Sequence, residues 1–342
     1  MDIRAAVSVL YRKHESLGAV ASELGVSRVT LYNWIGKREL AMLKAQARIE
    51  EDLHQEHGHG HDHGEHTHGS YSANSLQRSD TFYRPMYEEI INWLGVQPGS
   101  KVLDAGSGTG IFTELLASAV GDGGSVTALD MSEELLESVR QRLEGSTLAG
   151  RVSLQIGDIT AVPLGDTEFD LVWTSRTIHH LPDQVAGLRE LWRLLKPRHR
   201  LALREGGLPS KFLPADLGVG KPGLEDRLQA LFQAWFTTHV RFGEGMVPHP
   251  YGWTQTLREA GFSNVTAKSF LMELLPPFND DQTAYMRGQL ARWVDNEERR
   301  SMLSRDDAEV IEQLIDPESE HYAFRRMDLH YLEAVTVYVG KA

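Results

Sequence analysis

Three glycines at alternate positions, Gly106, Gly108 and Gly110, stand between an apolar run and a helical pattern. The run covers residues 101–103 and the helical pattern covers residues 111–120, so the sequence predicts a strand, a tight turn and a helix. Glycines leave the backbone N–H groups of such a turn open to close approach by a ligand. The same pattern occurs in dinucleotide sites, and on its own it does not distinguish one ligand from another.

Acidic residues at the ends of three predicted strands narrow the choice of ligand. Asp104 precedes the first glycine by two positions. Asp130 ends a second apolar strand about 20 residues beyond the glycines, where an acid that binds ribose hydroxyls is expected. Asp158 follows Gly157 at the end of a third strand. An NAD site and a strand–turn–helix without a ligand are the alternatives for this pattern.

The combination resembles the S-adenosylmethionine (SAM)-dependent methyltransferases with a Rossmann-like fold, in particular the quinone-biosynthesis type and its small-molecule relatives. The resemblance covers residues 72–342 and implies an α/β fold: a seven-stranded sheet with an antiparallel last strand and helical lid insertions. It also implies that the glycine turn surrounds the methionine part of SAM, while the later acids contact the ribose and the adenine. The implied cofactor-binding residues are Asp104, Gly106, Ser107, Gly108, Gly110, Asp130, Met131, Asp158, Ile159, Thr174 and Ser175.

Two polar residues further along the chain are candidates for catalysis. His179 lies after the fourth predicted strand, in a segment that runs beside SAM and substrate in the family, and Glu205 ends the fifth strand. We consider His179 as a general base and Glu205 as a carboxylate facing the substrate. The alternatives are a histidine without a role in proton transfer and an acid that caps a helix or forms a salt bridge. Because the sulfonium of SAM is a strong electrophile, alignment and exclusion of water are the main requirements, and an obligatory base is not expected.

Residues 208–250 are rich in large apolar side chains and are predicted to form a lid over a substrate pocket; residues 280–328 form a second insertion. Insertions are where a shared fold varies its specificity. Additional core and a dimer interface are the alternatives for residues 208–250. An amphipathic helix before the first strand carries two aromatic residues that either border the pocket or only pack. The predicted substrate contacts are Phe82, Tyr83, His239, Arg241 and His249.

Residues 1–53 resemble a helix-turn-helix of the transposase and bacterial-regulator kind, followed by a linker helix. Gly25 permits the left-handed turn between the two helices, and Ser27 is a good N-cap for the second. Residues 1–48 carry a net charge of +4 in a chain whose net charge is −13, so contact with DNA is assigned to this small all-α domain. A docking or dimerisation module is the alternative. The predicted DNA-facing residues are Ser27, Arg28, Thr30, Tyr32 and Asn33.

Residues 54–71 are rich in His and Gly and contain little that a core would bury, so they are predicted to form a flexible linker. Imidazoles at alternate positions can chelate Ni²⁺, Zn²⁺ or Cu²⁺. A low-complexity linker without a metal is the alternative. The predicted metal ligands are His57, His59, His61 and His63.

The composition limits the other possibilities. A chain of 342 residues is long enough for more than one domain, and its 41% hydrophobic and 24% charged content is that of a globular protein. There is no cysteine, which excludes disulfides and thiolate metal sites. No signal peptide and no apolar run of about 18 residues is found, so we expect a cytoplasmic location and no membrane contact.

The sequence therefore predicts methyl transfer from SAM to a small-molecule acceptor, with O-, N- and C-methylation all left open. The principal alternative is a transcriptional regulator that binds DNA through residues 1–53 and responds to SAM or a metabolite through a methyltransferase fold. A third hypothesis keeps SAM but assigns a non-methylating reaction. A homodimer formed through the linker helix is a further expectation, with a helical spacer as its alternative.

Overall fold

A computed structural model describes residues 73–241 and 245–342, and side chains at positions 73–75, 240 and 241 are outside that description. The helix-turn-helix, the linker helix and the His/Gly-rich tract fall on residues 1–71 and lie outside the described residues. The side chain of Arg241, a predicted substrate contact, lies outside them as well. DNA binding, metal binding and dimerisation through these segments therefore stay predictions.

The described residues form a seven-stranded sheet of mixed direction. Its strands are β1 (Lys101–Ala105), β2 (Ser125–Asp130), β3 (Val152–Ile156), β4 (Phe169–Ser175), β5 (Leu195–Lys211), β6 (Ser263–Leu274) and β7 (Tyr331–Lys341). Their order is β3-β2-β1-β4-β5-β7-β6. The first five strands pair in parallel, and β7 is antiparallel to both β5 and β6. The predicted α/β fold with an antiparallel last strand is confirmed.

Helices cover both faces of the sheet, as a central parallel sheet requires. The helices are α1 (Ala73–Leu94), α2 (Ile111–Val120), α3 (Glu133–Leu143), α4 (Gln184–Leu194), α5 (Leu224–Phe236), α6 (Trp253–Glu259), α7 (Asp280–Asp295), α8 (Glu297–Met302) and α9 (Arg305–Ile315). One core joins α1, α2, α5, α7 and α9 to the face that carries Val102 and Trp173. A second core joins α4 and α6 to the face that carries Leu103 and Val172. No helix in the described part of the chain is long and apolar enough to cross a membrane.

Strand β5 runs further than its apolar pattern predicts. A register shift between Arg204 and Gly207 marks a bulge, and Gly206 and Gly207 have φ values of 65° and 124°. A Cβ on Gly207 would lie 2.0 Å from the Ala334 carbonyl oxygen, so the bulge requires glycine there. The strand continues to Lys211, and residues 208–211 of the predicted lid therefore belong to the sheet.

The remaining insertions are helical. Residues 212–250 contain α5 and a π-helical turn, Thr237–Arg241, and residues 280–328 contain α7, α8 and α9. A capping box between Asn279 and Gln282 begins α7, while Asn296 and Ser304 cap α8 and α9. The helices α5, α7 and α9 pack with α1 in the core on one face of the sheet.

Candidate functional site

The loop between β1 and α2 contains three glycines, and their surroundings differ. Gly106, Gly108 and Gly110 all have positive φ, at 77°, 54° and 83°. A Cβ on Gly106 would lie 2.4 Å from Thr177 Oγ1, and one on Gly110 would lie 2.9 Å from Val139 Cγ2. A Cβ on Gly108 would meet nothing within 4 Å. Packing therefore requires the outer glycines, while Gly108 leaves its backbone beside open space that a ligand can occupy.

Asp104, at the end of β1, is buried directly beneath this loop. Its side chain accepts a 2.6 Å hydrogen bond from Thr113 Oγ1 on the first turn of α2. Burial raises the pKa of the Asp104 carboxyl to about 7, although the Thr113 hydrogen bond opposes the shift. The carboxyl therefore changes charge near neutral pH, and a cation bound beside it would favour the carboxylate form.

Asp130, at the end of β2, connects that strand to the glycine loop. Its Oδ2 accepts from the backbone N–H of Gly108 at 2.9 Å, and its Oδ1 accepts from the N–H of Ser132 at 3.0 Å. Burial raises the pKa of the Asp130 carboxyl, and the backbone N–H donors oppose that shift. The carboxylate is thereby held in one orientation, with the largely exposed side chain of Met131 (76% of its surface) directly after it.

The third acid lies in a more open position. Asp158 is exposed and caps the short turn Ile159–Ala161, accepting a 2.7 Å hydrogen bond from the N–H of Thr160. Ile159 is buried. The end of β3 therefore presents the exposed carboxyl of Asp158 next to Ile159, an apolar residue that belongs to the core.

The serine and threonine candidates are divided between the two faces of the sheet. Ser175 accepts a 3.0 Å hydrogen bond from Arg204 Nη1. Thr174 projects to the face opposite Asp104, because Asp104 pairs in register with Trp173 and side chains alternate along a strand. Among the described residues, the buried hydroxyls of Ser107 and Thr174 have no hydrogen-bond partner. Buried hydroxyls that lack a hydrogen-bond partner are candidates for contact with a ligand or a water molecule.

The two catalytic candidates form one hydrogen-bonded pair. His179, in the turn Ile178–His180, places its Nδ1 2.8 Å from Oε2 and 3.1 Å from Oε1 of Glu205. Glu205 is 3% exposed, so the imidazole provides its main polar contact. Within the described part of the chain, Nε2 of His179 makes no hydrogen bond. The ring of Phe236, from α5 in the predicted lid, lies 5.9 Å from the His179 ring.

The aromatic substrate candidates on α1 are buried in side-chain contacts. Phe82 stacks on Tyr285 at 3.9 Å between ring centroids. The Tyr83 hydroxyl lies 3.1 Å from that of Tyr331 and 3.0 Å from that of Tyr285, and it also donates to Glu333. The packing alternative accounts for both positions. A role of either residue toward a substrate stays a prediction.

The two histidine candidates in the described part of the lid have different surroundings. His239 is exposed, and its Nδ1 lies 2.9 Å from the Trp235 carbonyl oxygen one helical turn earlier. His249 has a buried Nε2 without a hydrogen-bond partner among the described residues. The neighbouring N–H of Val247 donates to the Pro182 carbonyl at 2.8 Å, which holds this segment against the loop that follows His179.

Several side chains that the sequence analysis did not single out hold α1 against the glycine loop. Thr109 Oγ1 donates to Asp80 at 2.6 Å, and Arg142 pairs with Asp80 while its Nε donates to the Thr109 carbonyl at 2.8 Å. Arg142 and Arg84 both contact Glu114, at 3.4 and 2.9 Å. The only local signal was charge on an amphipathic helix, which does not identify a partner.

Arg204 is the second finding that the sequence analysis missed. It lies on β5, is 4% exposed, and its guanidinium carbon lies 5.0 Å from the centre of the Tyr87 ring. A charged residue inside the apolar stretch of residues 201–205 was the available signal. The bulge that follows places it at the end of the parallel part of β5.

An open cleft of about 530 Å³ lies at the opposite edge of the sheet. It is lined by residues 95–100 and by Asp170, Arg198, His199, Arg200 and Lys341, among others. None of the predicted site residues lines it. The buried polar atoms without partners lie instead at the carboxyl edge, so chemistry rather than cleft size indicates where the site is.

Part of the chain is similar to known methyltransferases. Residues 102–198 match the family model described as a methyltransferase domain. The ubiquinone/menaquinone biosynthesis C-methyltransferase of Geotalea daltonii is 31% identical over 112 residues, which are 33% of this chain and 48% of that protein. The demethylmenaquinone methyltransferase of Bacillus cereus is 34% identical over 139 residues, 41% of this chain and 56% of that protein. This chain spans about half the length of these curated relatives.

A solved structure of a SAM-dependent methyltransferase from Aquifex aeolicus aligns with 57% of this chain and 90% of its own, at 22% identity and a TM-score of 0.39. The match to methyltransferase domains at residues 102–198 includes the glycine loop, the three acids and His179, but not Arg204, Glu205 or either insertion.

Proposed function

We propose that this protein transfers the methyl group of SAM to a small-molecule acceptor. The observation that carries the proposal is the glycine loop itself. Gly108 borders open space, and the buried carboxyls of Asp104 and Asp130 flank the loop at the ends of neighbouring strands. This arrangement lies inside the stretch that is similar to methyltransferase domains.

The residues present fit SAM. Its ammonium and sulfonium are cations, which suit the buried carboxyl of Asp104. Asp130 is held by backbone donors and keeps lone pairs for ribose hydroxyls. Met131 offers exposed apolar surface for the adenine, and the Ser107 hydroxyl lacks a partner among the described residues. When bound, SAM supplies an electrophilic methyl group.

The side chains of the protein hold the methyl donor and the acceptor close together, and they can accept the proton that the acceptor's nucleophile loses. The buried Glu205 carboxylate accepts from Nδ1–H of His179 and so fixes the tautomer that leaves Nε2 as a proton acceptor. That nitrogen is suited to receive a proton from the nucleophile of the acceptor. The Phe236 ring, from α5 of the predicted lid, lies 5.9 Å from the His179 ring, so this helix can shield the imidazole from water.

The relatives support methyl transfer more strongly than any particular acceptor. One is named a ubiquinone/menaquinone biosynthesis C-methyltransferase and the other a demethylmenaquinone methyltransferase. The family match ends at residue 198, so most of β5 and both insertions lie beyond it. We therefore extend methyl transfer from these relatives to this chain, infer SAM from the fit of the glycine loop, and leave the acceptor atom open.

Calorimetric titration of the full chain with SAM tests the proposal. Asp130→Ala should weaken SAM binding by roughly tenfold to a hundredfold, as expected when a charged hydrogen-bond acceptor is lost. Asp122→Ala is the matched control, since Asp122 is an exposed aspartate in the loop before the same strand. No SAM binding by the unmodified protein, or equal affinities for the two variants, would contradict the assignment.

Mass spectrometry of small molecules carried through purification separates the alternatives. SAM or S-adenosylhomocysteine should be recovered with the protein, whereas a nicotinamide dinucleotide would overturn the proposal. Formation of S-adenosylhomocysteine together with an acceptor heavier by one methyl group distinguishes methyl transfer from a reaction that keeps SAM intact.

A further inference from the structure

Arg204 is a buried cation that forms no ion pair with any carboxylate of the described residues. Its side chain is 4% exposed, and no carboxylate of the described residues lies within 4 Å of its guanidinium nitrogens. One Nη1–H bonds Ser175, but Nε has no hydrogen-bond partner among the described residues. Burying an ion in this way is strongly unfavourable unless an opposite charge arrives from elsewhere.

The neighbouring tyrosine does not supply that charge. The Tyr87 ring lies 5.0 Å from the guanidinium carbon, at a distance typical of a cation–π contact. Burial raises the pKa of the Tyr87 hydroxyl, and the positive charges of Arg204 and Arg176 oppose the shift without reversing it. Tyr87 is therefore a neutral phenol at pH 7 and supplies no negative charge to the guanidinium.

The position of Arg204 connects it to the candidate site. It is the register partner of Ser175, at the end of the parallel part of β5, and it shares a sheet face with Trp173 and Asp104. Asp104 lies two strands away, which corresponds to about 10 Å across the sheet. A small molecule at the carboxyl ends of β4 and β5 would lie within reach of Arg204 on one side and of a cofactor held by Asp104 on the other.

We propose that Arg204 binds an anionic oxygen of the methyl acceptor, so that the acceptor is an ionised phenol, enol or carboxylic acid. This inference rests on the proposed function. A bound sulfonium would place a second cation near the guanidinium, and an anion between the two is favoured by both. The Tyr87 ring lies beside the guanidinium and packs on Phe112, which packs on Trp173, so one side of Arg204 is aromatic. A flat conjugated anion matches such neighbours.

The transfer step then balances without a further reagent. The acceptor proton is lost to His179 Nε2 or to water, and the resulting anion is held by the guanidinium. A lone pair of the anion, on oxygen or on a conjugated carbon, forms the new bond to the methyl carbon. The carbon–sulfur bond breaks, and its electron pair remains on sulfur, which becomes neutral.

Binding of 4-nitrophenol and of benzoate to the full chain tests the proposal, with and without S-adenosylhomocysteine. The absorbance of 4-nitrophenolate reports the ionisation of the bound phenol, and benzoate tests a carboxylate source. We expect the bound phenol to ionise at lower pH than the free phenol. Arg204→Met should weaken binding of the preferred anion roughly tenfold or more, because a charge-assisted contact is lost. Arg204→Lys should retain part of it, and the exposed Arg258→Met should bind as the unmodified protein does.

Two further measurements separate this inference from the proposed function and from a structural role. SAM affinity should be unchanged in Arg204→Met, and its thermal midpoint should not fall, since removal of an uncompensated buried charge relieves a penalty. A lowered midpoint would indicate a structural arginine and overturn the proposal. Equal binding of both probes to the unmodified protein and to Arg204→Met, or binding of neither probe by the unmodified protein, would overturn it as well. Failure of SAM binding alone would overturn the proposed function and leave the anion measurement valid.

Discussion

The two sides of the candidate site are constructed in different ways. On the cofactor side, Asp104, the glycine loop and Asp130 lie within one short stretch of chain, and backbone N–H groups meet the Asp130 carboxylate. On the acceptor side, α1, the ends of β4 and β5, and the lid contribute side chains from distant positions. There the structure leaves polar atoms of Arg204 and His249 without partners among the described residues.

This difference in construction separates cofactor binding from recognition of the acceptor. A site made from local backbone geometry depends on few side chains and is shared with the proteins that match residues 102–198. A site assembled from side chains on several elements can change with each insertion while the fold is preserved. Variants on the cofactor side should therefore change the affinity for SAM, and variants on the acceptor side should leave that affinity unchanged.

The glycine loop provides the largest expected effect. Gly106→Ala places a Cβ 2.4 Å from Thr177 Oγ1 at a φ of 77°, and it should destabilise the fold by roughly 2–5 kcal/mol. Gly108→Ala meets no atom within 4 Å, so it should cost about 1–2 kcal/mol for its positive φ and mainly obstruct SAM. Urea denaturation and SAM calorimetry on both variants measure the two effects. Equal losses of stability would show that the open space beside Gly108 has no special role.

The contacts between α1 and the loop should have the next largest effect. Arg142→Ala removes the arginine that pairs with the buried Asp80 and should lower the free energy of unfolding by about 2–3 kcal/mol. The loss should be smaller than for a fully buried ion pair, because burial raises the pKa of Asp80 and makes its neutral form easier to reach. Arg84→Ala removes a more exposed arginine from Glu114 and should cost less than about 1 kcal/mol. Hydrogen exchange over residues 76–90 should increase in the first variant only. Similar exchange in both would mean that Arg142 does not hold α1.

The His179–Glu205 pair tests the acceptor side. His179→Ala leaves a buried carboxylate without its imidazole donor and should destabilise the fold by about 1–3 kcal/mol. SAM affinity should not change, because neither residue touches the glycine loop. His179→Asn, which can keep one donor, should recover part of the stability. A large loss of SAM affinity in His179→Ala would remove the distinction between the two sides.

The change of SAM affinity with pH is the smallest expected effect, and it depends on the ionisation of one residue, Asp104. With its pKa raised to about 7, Asp104 is mostly protonated below that pH in the free protein. A cationic ligand favours the carboxylate, so SAM affinity should rise with pH up to about 7, by at most about tenfold per pH unit, and then level off. Calorimetry in buffers of different ionisation enthalpy should show proton release on binding, and Asp104→Asn should abolish it.

The same carboxyl also affects folding stability, with the opposite dependence on pH. Its folded pKa lies above the unfolded value of about 3.9, so the folded state holds the proton more tightly. Its contribution to stability is therefore complete below the unfolded value and is lost as the pH rises through about 7. Urea midpoints of Asp104→Asn should vary less with pH across this range. An unchanged profile would place the ionisation of Asp104 outside it.

Much of the cofactor side could be predicted from the sequence because its requirements are local. Positive φ at Gly106, Gly108 and Gly110 is a property of single residues, and an acid at the end of an apolar strand stands where the strand stops. The extent of β5 did not, because its continuation depends on a bulge opposite β7, which is remote in the chain.

Residue types and spacing predicted the strand–turn–helix around Gly108 and the three acids, and the family resemblance predicted the antiparallel last strand. The contact of His179 with Glu205 across 26 positions, the contact of the Tyr83 and Tyr331 hydroxyls across 248, and the burial of Arg204 without an ion pair among the described residues came from the folded chain. The physical reason is that these contacts depend on which strands become neighbours and which face each side chain takes. Residue types and spacing alone do not specify either.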